Sequence, residues 1–195
     1  MTKTLSSEVV YHGRVFDILK DRIAEATPDG TSEYDREVIT HNGSAVIVPL
    51  FADGTVALVK QYRHAAGKYL LELPAGSLDT PDEVPEHGAH RELEEEIGVR
   101  AAKMELIAEF YVSPGFLSEK MFVYLATDLT ETQQNLDEDE HVEIVRLPLS
   151  KAMEMIENGD IEDAKTIIGL TRTTNRVDPE TPSTNLGNTS TKLRV

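Results

Sequence analysis

Pro85-Glu86-His87-Gly88-Ala89-His90-Arg91-Glu92-Leu93-Glu94-Glu95-Glu96-Ile97-Gly98-Val99 reads as one amphipathic helix with its own start and stop. Ala89, Leu93 and Ile97 recur at four-residue spacing, Pro85 suits a first turn, and Gly98 stands where a helix-ending glycine is wanted. At about 100° per residue, Glu92, Glu95 and Glu96 fall on one face beside the apolar one, while Glu94 points nearly opposite, to solvent. Like charges one turn apart repel by a few tenths of a kcal/mol, and partial burial worsens it. A Glu-rich run alone is usually a solvated helix face. Set beside a core, the trio makes physical sense if divalent cations occupy it, and hard carboxylate oxygens select Mg²⁺ or Mn²⁺ over soft-ligand metals.

Outward from this helix the chain is mostly strand. Up to about residue 63 the segments are short, rich in Val, Ile, Phe and Tyr, and punctuated by Thr27-Pro28-Asp29-Gly30, Asn42-Gly43 and Asp53-Gly54. Residues 44–50 and 56–60, flanking Asp53-Gly54, read as a buried central hairpin, because their apolar runs are too continuous for a half-exposed sheet. Beyond the helix, strands are expected at 104–111, 120–126 and 142–147. Ser150 then caps a helix at 151–158 that Gly159 ends, and a last helix spans 161 to about 170. From Arg172 the composition turns to Thr, Asn, Pro and Ser, so 172–195 reads as a polar tail. The class is α+β.

Composition narrows the function. At 195 residues, with 39% hydrophobic and 28% charged residues, the chain fits one globular domain with an extension and is neither disordered nor fibrous. Nineteen Lys and Arg against 35 Asp and Glu give a net charge of −16, which argues against binding nucleic-acid phosphates or anionic lipid through a basic surface. With no cysteine there is no disulfide, thiolate zinc site or cysteine nucleophile. Residues 1–10 lack the pattern of a secretory signal, and the longest apolar stretch is far short of a membrane span, so a cytoplasmic location is expected. His87 and His90 lack a third partner for zinc, and neither a Ser-His-Asp arrangement nor a Walker A loop is present.

The stretch from Gly76 to Val99 resembles the box of the Nudix hydrolases, G-x5-E-x7-R-E-U-x-E-E-x-G-U, where U is aliphatic. Arg91, Glu92, Leu93, Glu95, Glu96, Gly98 and Val99 all match, and Glu83 stands eight positions before Arg91. Gly76 lies one residue too far upstream, so the loop 77–82 carries a single insertion; alternatively Asp82 keeps the first spacing and breaks the second. The resemblance implies an α/β/α sandwich with a mixed central sheet at 44–171, preceded by an N-terminal β arm at 1–43. It makes Glu92, Glu95 and Glu96 metal-ligand candidates, with the Ala75 carbonyl a further ligand and Arg91 orienting the carboxylates.

Beyond the box, Gln61-Tyr62-Arg63, Glu72-Leu73-Pro74-Ala75-Gly76, Tyr111-Val112-Ser113-Pro114-Gly115 and Asp163-Ala164-Lys165-Thr166 are similar to the ADP-ribose pyrophosphatase subgroup. That likeness implies metal-dependent hydrolysis of the diphosphate of ADP-ribose to AMP and ribose 5-phosphate, with Mg²⁺, or Mn²⁺, as cofactor. Arg63 would bind the diphosphate through its guanidinium fork, Ser77, Ser113 and Gly115 would line the substrate, and Glu119 would accept from a ribose hydroxyl. In the acidic run Asp137-Glu138-Asp139-Glu140, Glu138 is the first choice for general base and Glu140 for an additional metal ligand, or the two roles are exchanged. Relatives form homodimers through N-terminal strands, so residues 9–40 would be the dimerisation arm and Arg36 would reach the other subunit's substrate. Rival readings are hydrolysis of another nucleoside diphosphate sugar, such as GDP-mannose or ADP-glucose, and a non-catalytic sensor of ADP-ribose.

Overall fold

A computed structural model describes residues 2–136 and 142–177. The chain opens with three long antiparallel strands, β1 (Thr2–His12), β2 (Asp17–Thr27) and β3 (Gly30–Thr40), which form a sheet of their own in the order β1-β2-β3. Every residue of β1 is exposed. The end of β3 is tied to the rest of the molecule: Ile39 N–H donates to the Phe116 carbonyl at 2.7 Å, and Ser118 N–H to the Ile39 carbonyl at 2.9 Å.

The remaining strands make two sheets. One is β10 (Val142–Pro148), β5 (Thr55–Arg63) and β6 (Lys68–Glu72), all antiparallel. The other is mixed, in the order β7 (Ala75–Ser77), β4 (Ser44–Pro49), β9 (Lys120–Glu131) and β8 (Val99–Tyr111), with β4 and β9 parallel. Alternate residues of β4, β5 and β9 feed two cores, as the period of two requires. Val46, Val48, Val56, Leu58, Val123 and Leu125 pack on the side of α2 (Leu149–Glu157) and α3 (Ala164–Val177). Ala45, Ile47, Ala57, Val59, Tyr124 and Ala126 pack with Ala89, Leu93 and Ile97 of α1 (Pro85–Ile97). The strands are therefore buried on both faces between helices, which is why their sequences run apolar without alternation. The α/β/α sandwich with a mixed sheet is present.

Four expectations are corrected. Residues 44–50 and 56–60 do not form a hairpin: apart from one bridge, Leu50 to Val56, β4 pairs with β7 and β9 while β5 pairs with β6 and β10. Each is central, but in a different sheet; apolar runs mark burial and carry no record of which strand lies alongside. Ser150 is not a cap, since α2 starts at Leu149 after Pro148 with no side-chain capping bond. The last helix starts at Ala164 rather than 161, because Asp163 caps it: its Oδ2 accepts from Thr166 N–H at 3.0 Å and from Thr166 Oγ1 at 2.6 Å. It runs on to Val177, so residues 172–177, assigned to the tail on composition, are helical. No helix among the described residues is long and apolar enough to cross a membrane.

Candidate catalytic cleft

Helix α1 presents its chemistry as its periodicity requires. Leu93 and Ala89 are fully buried, and Gly98 ends the helix at φ 65°, its N–H donating to the Glu94 carbonyl at 3.0 Å. Glu92 and Glu96 sit at the edge of this core, 8% and 3% exposed, whereas the Glu95 side chain is 37% exposed. Glu94 turns away and pairs with Arg100. Gly76 is packed directly on Glu92: a Cβ there would lie 2.0 Å from the carboxyl carbon of Glu92. Glu96 accepts from Ala75 N–H at 3.0 Å, so both buried carboxylates abut the Ala75-Gly76 backbone.

Arg91 bridges the carboxylates. Its Nη1 donates to Glu92 Oε1 at 2.5 Å and Glu95 Oε2 at 3.2 Å, and its Nη2 to the Ser77 carbonyl at 3.2 Å, with Asp79 at 3.5 Å and Glu83 at 3.8 Å. Burial works against this charge, but Glu92, Asp79 and Glu95 outweigh it and hold the guanidinium pKa above its ordinary value.

Beside Ala75-Gly76 opens a cleft of about 200 Å³, lined on its polar side by Ser44, Arg63, Ser77, Glu119 and Lys165. Glu119 accepts from Ser44 Oγ at 2.7 Å. His41 stands behind: its Nδ1 accepts from Gly43 N–H at 3.0 Å, which leaves the ring proton on Nε2, 3.3 Å from Ser77 Oγ. Arg63 and Lys165 both pair with Glu72, the last residue of β6, which is 1% exposed.

The profile of the NUDIX domain matches residues 41–168, two thirds of the chain and all of the sandwich up to the first turn of α3. The chain belongs to the Nudix family. Among curated relatives, the ADP-ribose pyrophosphatase of Bacillus subtilis is 37% identical over 170 residues, covering 86% of this chain and 90% of its own. The methanol dehydrogenase activator of Bacillus methanolicus is 35% identical, with the same coverage of both chains. The ADP-ribose pyrophosphatase of Mycobacterium tuberculosis is 34% identical, covering 86% of this chain and 81% of its own. A crystal structure of an ADP compounds hydrolase superposes with a TM-score of 0.77 at 26% identity, covering 92% of this chain and 96% of its own.

Members of the Nudix family use divalent cations, and the donors here suit one. Two buried carboxylates one turn apart, against a backbone stripped of a side chain at Gly76, are hard oxygen ligands in the right chemistry for Mg²⁺ or Mn²⁺. Among the described residues no three His, Asp or Glu side chains are gathered tightly enough to hold an ion as they stand; Arg91 bridges Glu92 and Glu95.

Of the residues assigned from the sequence, Ala75, Glu92 and Glu96 come together, and Arg63, Ser77 and Glu119 share the adjoining cleft with Ala75. Ser113 and Gly115 lie in the β8–β9 connection, where the Ser113 carbonyl accepts from Phe116 and Leu117, and do not line this cleft. Arg36, on β3, stacks on Tyr34 at 4.3 Å and does not line it either. Glu138 and Glu140 fall outside the described residues. Sequence reasoning passed over Ser44, His41, Glu72 and Lys165 as site residues. Lys165 stands in the Asp163-Ala164-Lys165-Thr166 likeness, and Glu72 carries a signal of its own, a lone charge inside Leu70-Leu71-Glu72-Leu73, where only a paired carboxylate survives burial.

Proposed function

We propose that this Nudix protein hydrolyses the diphosphate of ADP-ribose to AMP and ribose 5-phosphate with Mg²⁺, Mn²⁺ serving as a substitute. The observation that carries the reading is the juxtaposition of the buried pair Glu92 and Glu96 with a cleft on the other side of Ala75-Gly76 that Arg63 and Lys165 line. A chain of net charge −16 repels an anionic substrate at long range, so the sign must be reversed locally: cations held by Glu92 and Glu96 would do so, with Arg63 and Lys165 beside them. Two ADP-ribose pyrophosphatases among the relatives support the choice of substrate.

Glu92 and Glu96, with Glu95 and the Ala75 carbonyl, would hold the cations, which polarise phosphate oxygens and lower the pKa of bound water when present. Arg91 orients Glu92 and Glu95 from behind. Arg63 meets the diphosphate, Ser77 lines it, and Glu119, already accepting from one hydroxyl at Ser44, accepts from a ribose hydroxyl. Glu138 takes the proton of the attacking water and Glu140 adds a ligand, or the two roles are exchanged; Ser113 and Gly115 contact the substrate. Overall, a water oxygen bonds to phosphorus, the bridging P–O bond breaks, and the proton passes to the base.

The protein works as a homodimer in this proposal, with β1 to β3 as the arm and Arg36 serving the partner's site. The support is a sheet without a core of its own: Leu5, Val9, Val10 and Tyr11 of β1, with Val15 and Phe16 of the β1–β2 connection, are each at least 40% exposed. Sedimentation at micromolar concentration should give a dimer, and a monomer removes this part.

The decisive experiment is product analysis after incubation with ADP-ribose, ADP-glucose, GDP-mannose and NADH in parallel, with Mg²⁺ and with chelator. Metal-dependent AMP from ADP-ribose well ahead of the others is expected. Preference for another sugar nucleotide keeps the chemistry and overturns the specificity, and binding without turnover overturns the enzyme reading.

A further inference from the structure

Arg63 does not present a free guanidinium fork, because Glu72 occupies it: Nε donates to Oε1 and Nη2 to Oε2, each at 2.8 Å. A planar guanidinium clasped along that edge turns its remaining amino group, Nη1, the opposite way. Arg63 is 40% exposed and Glu72 only 1%, so the outward side is the one at the cleft that Arg63 lines. Lys165, in the first turn of α3 and itself 8% exposed, reaches the same Glu72 Oε2 and lies 3.1 Å from Asp163 Oδ1. One buried carboxylate at the end of β6 thus fixes two cations carried by different elements, β5 and α3, and both line the cleft.

We infer that Glu72 is the positioning residue of this cleft: it aims Arg63 and Lys165 at the diphosphate of the substrate without touching the substrate itself. The inference rests on the proposed hydrolysis of a nucleoside diphosphate sugar and adds Lys165 as a second cationic contact. A purely structural role for Glu72, tying α3 to the sheet, is already filled nearby. Thr166 Oγ1 accepts from Leu73 N–H at 2.7 Å, and Asp163 caps the helix through the same threonine.

The accounts differ in the sign of one number. Glu72→Gln keeps the shape of the side chain and removes a negative charge beside the cleft. If Glu72 were only a nearby charge, the anionic substrate would bind better and KM would fall; if it were only a structural tie, folded protein would be lost while KM of the remainder stayed put. Positioning predicts that KM rises.

The experiment measures kcat and KM for ADP-ribose at saturating Mg²⁺ on the full chain, for wild type, E72Q, R63A and the double variant, with kcat expressed per folded molecule from urea unfolding. In E72Q, KM should rise about tenfold, the scale of a charge-assisted hydrogen bond, with kcat changed by less than about threefold. The double variant should lose less than the product of the two single losses, because one residue acts through the other. A KM that is unchanged or lower in folded E72Q, or a double variant that matches the product, overturns the inference. Should E72Q fail to fold, Glu72→Asp retains the charge and withdraws the carboxylate by one methylene: raised KM supports positioning, and unchanged KM overturns it. If the wild type turns over no nucleoside diphosphate sugar, the functional reading falls and takes this inference with it. If the wild type is active and E72Q keeps its KM, only the inference falls.

Discussion

Two arginine–carboxylate clusters flank the same two residues, Ala75 and Gly76, and they are built to opposite ends. On the α1 side one guanidinium, Arg91, faces four carboxylates: Asp79, Glu83, Glu92 and Glu95. On the β6 side two cations, Arg63 and Lys165, face two carboxylates, Glu72 and Asp163. The first cluster is left short of positive charge and can take up cations; the second is balanced, so its cations are held in place without being quenched by an excess of anions.

The largest expected effect comes from breaking the cation-poor side. Glu96→Gln should lower turnover of ADP-ribose by about 100-fold or more, since residues that merely support metal ligands already cost about 10- to 100-fold when replaced. Its melting temperature should stay close to that of the wild type; near-wild-type turnover would sink the assignment. Gly76→Ala should come next. Its Cβ would stand 2.0 Å from the Glu92 carboxyl carbon, so the carboxylate must move, and the tip of a side chain yields more cheaply than backbone. A loss of about tenfold or more, restored in part by raised Mg²⁺, is expected with little change in unfolding. Unaltered metal dependence would show that the close approach of Gly76 to Glu92 has no part in metal binding.

On the balanced side the first readout is stability against pH. Burial pushes the Glu72 carboxyl upward, but Arg63 and Lys165 outweigh it and its pKa ends below the ordinary 4.5. A carboxylate with a depressed folded-state pKa stabilises fully above its unfolded value and loses that contribution as pH falls through the folded one. Glu72→Gln should therefore unfold more readily by about 2 to 3 kcal/mol at neutral pH, at or below the usual cost of breaking a buried pair because Arg63 is 40% exposed. The gap between wild type and variant should narrow only below about pH 4.5. A gap constant down to about pH 3 would mean that Glu72 is not an ionised partner of these cations.

The same contrast explains what could be read from the sequence. The acidic cluster was legible because it is local: helix periodicity, Pro85 at the start and Gly98 at the stop placed Glu92 and Glu96 on the correct face before any tertiary contact was known. The balanced cluster was not, because it is assembled from β5, β6 and α3, with Glu72 and Lys165 separated by 93 residues. Strand pairing failed for the same reason. Residues 44–50 and 56–60 carry apolar side chains on both faces, so burial was evident, yet nothing in either run distinguishes β9 or β10 from the strand next in sequence. At α3, the apolar character of Ile161 extends the helical pattern too far; the residue is buried, but in the connection ahead of Asp163, whose capping bonds set the true start.

The smallest expected effect is the most informative control. Glu94 lies between Leu93 and Glu95 in an unbroken Glu run, and composition cannot tell it from its neighbours. It faces away from Ala75-Gly76 and pairs with Arg100, whose side chain is 69% exposed. A pair in that position is screened by water and salt and contributes little to stability. Glu94→Gln should leave turnover within about twofold and shift the melting temperature by no more than about 4 °C. Measured beside Glu96→Gln, it separates the loss of one negative charge on α1 from the loss of a particular oxygen. If both variants lost activity alike, the helix would be acting as a diffuse anionic surface, and the division between a cation-poor cluster and a solvated face would not hold.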